Sequence, residues 1–289
     1  MARVHLIASL TLVALLVTGC GSENEGDSGL TIVATTAIAA DITREVVANQ
    51  AEVTQLIPDS VSPHAFQTSA EDRRLIEEAD LLVEFGTGLE ATVPSETARE
   101  SFAFGDYAGD LREGEEQKDP HVWMDPSRIA TALEGLATAL GVADPANAEA
   151  YQERAREYAA RLRALDEEIS AQTSELPAER RKLVTSHDAL GYFAARYRFE
   201  VIATPFGLSP EAEASAGDIE SVVSAVESED VPAVFVEQGD DPQVLERVAD
   251  ETGVTVVDDL LIEGFGPGAD SYEEMIRFTA TRISDALGG

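Results

Sequence analysis

Three histidines are the residues most able to do chemistry in this sequence. His64, His121 and His187 each fall in a loop or at a strand end just before a helical stretch. Neutral imidazole is the commonest protein ligand for transition metals. Open α/β sheets bind ligands in the crevice beyond the carboxyl ends of their strands. Three imidazoles meeting there would read as a site for a borderline-soft divalent metal, tetrahedral if one carboxylate completes it. Histidines that only cap or fill turns would occupy the same positions, so spacing alone leaves both readings open. The fourth histidine, His5, lies in the N-terminal leader.

The stretch around His121 is the most constrained. Residues 119–126 read DPHVWMDP, with two Asp-Pro pairs around one histidine and the only tryptophan. Proline fixes its own φ and pushes the preceding residue out of helical geometry. Directly after, Ile129, Leu133, Leu136 and Leu140 recur at helical spacing. His121 is therefore expected in a stiff loop at a helix N-terminus, with Trp123 packing beside it.

Those positions need a scaffold, and the pattern of the chain supplies one. Apolar, β-branched runs at 30–34, 52–57, 81–85, 182–186, 199–204, 233–237 and 254–257 predict strands. Helical patterns alternate with them: 38–48, a segment starting at Ser69 with Asp72 three residues on, 189–197, 216–228, 242–252 and 271–286. This rhythm predicts an α/β protein of two lobes, each a mainly parallel sheet flanked by helices. Between them, Tyr151, Ala155, Tyr158, Leu162, Leu165 and Ile169 form an unbroken helical stripe in residues 145–175. It predicts one long rigid helix joining the lobes. The expected division is a lobe at 30–143, the connecting helix at 144–175 and a second lobe at 176–289. Tyr192, Phe193 and Tyr197 read as core, and Glu211 and Glu213 as structural.

Composition narrows the partners. The 289 residues carry 20 Lys and Arg against 55 Asp and Glu, a formal net charge of −35. Nucleic acid and anionic membrane surfaces are poor partners for such a chain. Only Lys118 and Lys182 are lysines. An acidic, lysine-poor surface suits a protein working in high salt. Cys20 is the sole cysteine, so no internal disulfide can form.

The leader accounts for that cysteine. Arg3 precedes an apolar run, LIASLTLVALLVT, too short for a spanning helix of about 20 residues. Val17, Thr18, Gly19 and Cys20 then resemble a bacterial lipoprotein signal. The leader is expected to span 1–19, with Cys20 lipidated and 20–29 a flexible acidic tether. The mature chain is then outside the cytoplasm, held at the membrane face.

Three segments carry a family resemblance: SVSPHAFQTSAED, DPHVWMDP and SHDALGYFAARY. They resemble the histidine motifs of the metal-binding lipoproteins of bacterial ABC importers for zinc and manganese. GLSPEAEAS and the VVDDLL…DSYEEM segment resemble that family too, and the likeness covers about 30–289. It implies two α/β lobes joined by one long helix, metal held between them, and delivery to a membrane permease driven by an ATPase. The protein would be a binding protein and a monomer, not an enzyme. The resemblance implies His64, His121 and His187 as ligands, with a late acidic residue as the fourth. Asp259 fits that position best, with Asp258 its rival. The third ligand is His where manganese members often carry Glu, which tilts the choice toward Zn2+, with Mn2+ the alternative. Two departures stand out: Gln67 replaces a common Glu, and the acidic stretch 105–120 replaces the His-rich loop of many zinc members.

Other classes compete. A zinc hydrolase could use three histidines and an open water position, but no HExxH-type motif supplies its base. A lipid-anchored adhesin could use the same scaffold. A histidine site also implies metal affinity that falls below about pH 6.5, the ordinary imidazole value.

Overall fold

The computed structural model describes residues 29–59, 61–114, 118–208 and 214–288. The leader, Cys20, most of the tether, Glu211 and Glu213 lie outside these residues.

The first lobe is built on β1 (Thr31–Ala34), β2 (Glu52–Gln55), β3 (Leu81–Glu84) and β4 (Ser101–Ala103). All pairings are parallel and the order is β2-β1-β3-β4. Helix α1 (Ala37–Val47) follows β1, and α2 (Ala70–Glu78) precedes β3. A capping box starts α2: Ser69 accepts from the Asp72 backbone while Asp72 accepts from the Ser69 backbone. β4 escapes the sequence reading because it is three residues long with only Phe102 buried.

Asp125 caps α3 (Pro126–Ala143), with Pro126 in its first turn. α4 (Ala148–Ser174) follows, 27 residues long, or about 40 Å at 1.5 Å per residue. Its predicted stripe from Tyr151 to Ile169 is buried. Near its start Arg154 donates to Gln50 at 2.7 Å, and farther along Arg161 pairs with Glu45 of α1.

The second lobe holds β5 (Lys182–Val184), α5 (Gly191–Tyr197), β6 (Glu200–Ala203), α6 (Ala216–Glu229), β7 (Ala233–Glu237), α7 (Gln243–Thr252), β8 (Thr255–Leu260) and α8 (Tyr272–Gly288). β5 pairs with β6 and β7 with β8, both parallel. A parallel bridge from Thr185 to Phe235 joins the two pairs. The resulting order, β6-β5-β7-β8, matches β2-β1-β3-β4 when strands are counted within each lobe. The lobes thus share a topology although no sequence repeat is visible.

The far half of α4 grips this lobe: Asp166 pairs with Arg196 and accepts from the Tyr197 hydroxyl at 3.1 Å, and Glu168 pairs with Arg277 of α8 at 2.8 Å. One cluster of buried side chains runs from Ile32 through Tyr158 and Leu165 to Ile276 and Leu287. Burial of each such large side chain stabilises by about 1.5–3 kcal/mol, so α4 is fastened to both lobes by core as well as by charge. No helix among the described residues is long and apolar enough to cross a membrane.

Candidate metal centre

Each histidine projects from the carboxyl end of a sheet. His64 lies in the loop after β2, His121 in the segment after β4, and His187 three residues beyond β5. The first two belong to one lobe and the third to the other. His121 and His187 are almost completely buried.

The backbone around each is fixed locally. The Pro-bracketed segment forms a tight 3-10 turn at Val122–Met124. Asp119 Oδ1 accepts from the His121 backbone N–H at 3.0 Å and lies 2.8 Å from the ring Nδ1. That contact directs Nε2 into the space between the lobes. Thr185 donates its hydroxyl to the His187 carbonyl at 2.7 Å, and Asp240 Oδ2 lies 3.7 Å from His187 Nδ1. Trp123 packs edge-on to His121, with centroids 5.2 Å apart.

The three rings converge with one carboxylate, that of Glu263. Ligand atoms of His64, His121, His187 and Glu263 all lie within 4.8 Å of one another. Nε2 of His64 is 3.3 Å from Nε2 of His121. Glu263 Oε1 is 3.0 Å from His64 Nε2, 3.6 Å from His187 Nε2 and 3.9 Å from His121 Nε2. A tetrahedron with metal–ligand bonds of about 2.0–2.1 Å has edges of about 3.3–3.4 Å. The measured separations bracket that value.

Asp259, the carboxylate expected fourth, is elsewhere. Its Oδ1 accepts from Arg282 at 2.9 Å and its side chain is about two-fifths exposed. Asp258 is exposed. Both lie inside β8, whose pleat aims its side chains at the sheet faces rather than beyond the strand end. The chain reaches the crevice only after Leu260, through a turn that is pinned at every residue. Thr279 donates to the Leu261 carbonyl at 2.6 Å, and Trp123 Nε1 donates to the Ile262 carbonyl at 2.8 Å. Glu237 Oε1 accepts from the Glu263 backbone N–H at 2.5 Å. Ser62 of the opposite lobe donates to Glu263 Oε2 at 3.2 Å. Sequence reasoning missed Glu263 because its anchors are distant in sequence; its one local signal was a lone acid after the apolar run LLI.

The charges are strongly coupled. Burial opposes a charge on His187, but Asp240, Glu263 and Glu237 outweigh it and push the ring up to about 10. Burial likewise opposes a charge on His121, and Asp119 and Glu263 raise it overall. For His64 burial wins over Glu263, so its value falls. Glu263 is held well below the carboxylate range: burial alone would raise it, but the three rings around it prevail. Glu237 is raised by burial and then by the charge of Glu263.

Part of the acidic stretch after β4 packs against the site. Arg112 turns inward to Asp119 Oδ2 at 2.5 Å, and the Arg112 backbone N–H donates to the Tyr192 hydroxyl at 2.9 Å. Gln67 is exposed.

The profile of the periplasmic zinc-uptake complex component A, ZnuA, matches residues 32–286. The chain belongs to the ZnuA family. Manganese-binding lipoprotein MntA of Halalkalibacterium halodurans is 29% identical over 290 residues, covering 96% of each chain. The manganese ABC transporter substrate-binding lipoprotein PsaA of Streptococcus pneumoniae is 28% identical over 308 residues, covering 99% of each. Among solved structures, the periplasmic zinc binding protein TroA of Treponema pallidum superposes with a TM-score of 0.82 at 26% identity, over 89% of this chain and 99% of that one. Membership in the ZnuA family makes this a metal-binding transport protein, not an enzyme. The two-lobed α/β architecture expected from the sequence is the one found.

Proposed function

We propose that this chain captures a divalent transition metal outside the cytoplasm and hands it to an ABC-type membrane permease. Zn2+ is the ion best matched to three imidazoles and one carboxylate. His64, His121, His187 and Glu263 would be its ligands, with Glu263 in the role first expected of Asp259. The observation that carries this reading is the convergence of those four donors, from both lobes, within 4.8 Å of one another.

Mn2+ is the second reading. MntA and PsaA are named for manganese, whereas TroA is named for zinc, so the relatives favour neither ion alone. Lipidation at Cys20 would hold the mature chain at the membrane face. The expected division into lobes at 30–143 and 176–289 around a connector at 144–175 puts ligands on both sides of it, so metal would tie the lobes together.

Metal content of the purified protein, measured beside His187→Ala, tests the proposal. Stoichiometric zinc or manganese that is lost in the variant supports it. Equal metal in both proteins would sink it.

A further inference from the structure

Ser62 opens the turn that carries His64. The Ala65 backbone N–H donates to the Ser62 carbonyl at 3.1 Å, with Pro63 and His64 at the centre of the turn. Serine first and proline second are favoured in such turns. The Ser62 hydroxyl accepts from the His64 backbone N–H at 3.3 Å. A hydroxyl has one proton to give and two lone pairs. The proton of Ser62 goes across the lobes to Glu263 Oε2 at 3.2 Å. The two oxygens of Glu263 are therefore unlike. Oε1 is buried and makes no hydrogen bond among the described residues. It faces Nε2 of His64, His187 and His121 at 3.0, 3.6 and 3.9 Å. A buried carboxylate oxygen without a donor is costly and calls for a cause, which an ion among those nitrogens supplies. Oε2 is already engaged.

We infer that Ser62 holds Glu263 to a single ligand oxygen, and so biases the pocket toward Zn2+ over Mn2+. This rests on the capture reading above. Ser62 is not a ligand; it acts through Glu263. With Oε2 tied to the hydroxyl, Oε1 and the three ring nitrogens make a closed tetrahedral set, which suits zinc. A carboxylate that turned both oxygens to the ion would raise the donor number and the oxygen share together. Manganese gains from both. The two arrangements differ by rotation about the last side-chain bond of Glu263, whose torsion is broad. A hydrogen bond to a charged oxygen is strong enough to choose between them.

Competition titration of the metal-free protein with Mn2+ and with Zn2+ tests this in the unaltered chain, Ser62→Thr and Ser62→Val. The two variants have nearly the same shape and differ in the hydroxyl. In Ser62→Val the ratio of Mn2+ to Zn2+ affinity rises about tenfold, the lower end of what outer partners of a metal site contribute. In Ser62→Thr it stays within about twofold, since the donor is kept. Each ratio is taken within one protein, so general loosening of the fold cancels. Visible absorption of the Co2+-loaded protein gives a second readout. The bands are intense and tetrahedral in the unaltered chain and in Ser62→Thr, and weaken in Ser62→Val as a further oxygen joins. A ratio in Ser62→Val that is unchanged or lower, the same shift in both variants, or a Co2+ spectrum that Ser62→Val leaves unaltered would overturn the inference. Failure of the capture reading gives a different result: the unaltered chain would bind none of the three ions, or His187→Ala would bind them equally well.

Discussion

Nε2 of His64 and Oε1 of Glu263 lie 3.0 Å apart across the two lobes. One comes from the loop after the second strand and the other from the turn after the last strand. Neither position is adjacent to anything in the sequence that announces the other. Their meeting makes the crevice a donor set rather than a gap.

The first prediction separates the two candidate carboxylates. Glu263→Ala should weaken zinc binding by more than about 100-fold, beyond the roughly 10–100-fold typical of outer partners. Asp259→Ala should leave affinity within about twofold, because it breaks only a half-exposed pair with Arg282. Titration against a chelator of known affinity reads both.

Asp119 should matter although it is not a ligand. It holds the His121 ring and is itself held by Arg112. Asp119→Asn should lower metal affinity about 10–100-fold, as expected for a carboxylate that orients a metal-binding imidazole. Thermal unfolding of the metal-free variant alongside separates this from a general loss of structure.

The pH dependence should run higher than an ordinary imidazole would give. His187 is raised to about 10 in the metal-free fold, so at neutral pH it carries a proton that metal must displace. Affinity should climb with pH toward about 10, and loading at pH 7 should release protons, measurable as a buffer-dependent heat of binding. The stability of the metal-free protein should move the other way. A raised folded value means the His187 charge stabilises the fold fully below about pH 6.5. That contribution fades as pH rises toward about 10. A pH-independent affinity between 6 and 9 would contradict the arrangement.

Trp123 should report on the site and tie it together. It packs on His121, its Nε1 donates to Ile262 and its carbonyl accepts from the Tyr272 hydroxyl at 2.6 Å. Metal binding should change tryptophan emission, which comes from this residue alone. Trp123→Phe loses a buried hydrogen bond and some volume, and should cost about 1–3 kcal/mol in an unfolding titration.

Salt should stabilise the protein. A net charge of −35 repels itself, and screening shortens that repulsion to a few ångströms in molar salt. The unfolding midpoint should rise between low salt and molar sodium chloride. An unchanged midpoint would show that the acidic surface carries no such cost.

The elements and the histidines were legible because their signals are local. Strand runs, the stripe along α4, the Ser69–Asp72 capping box and the proline bracket around His121 each act over a few residues, and each matches an observed feature. β4 was not legible, since three residues with one buried side chain form no pattern. Arg112 was hidden for another reason. Nothing local marks its contact: it reaches Asp119 because Gly191, far along the chain, leaves room, and a Cβ there would stand 1.1 Å from the Arg112 guanidinium.

By itself, then, the sequence determined the alternation of strands and helices, the long connector and the three rings, because hydrophobic period and turn chemistry are written in neighbouring residues. The tertiary structure alone decided which carboxylate joins the rings. That choice depends on where the chain bends after β8, and the bend is held by Thr279, Trp123 and Glu237. Contacts made between distant segments leave no period in the sequence, so Asp259 and Glu263 could be told apart only when the chain was folded.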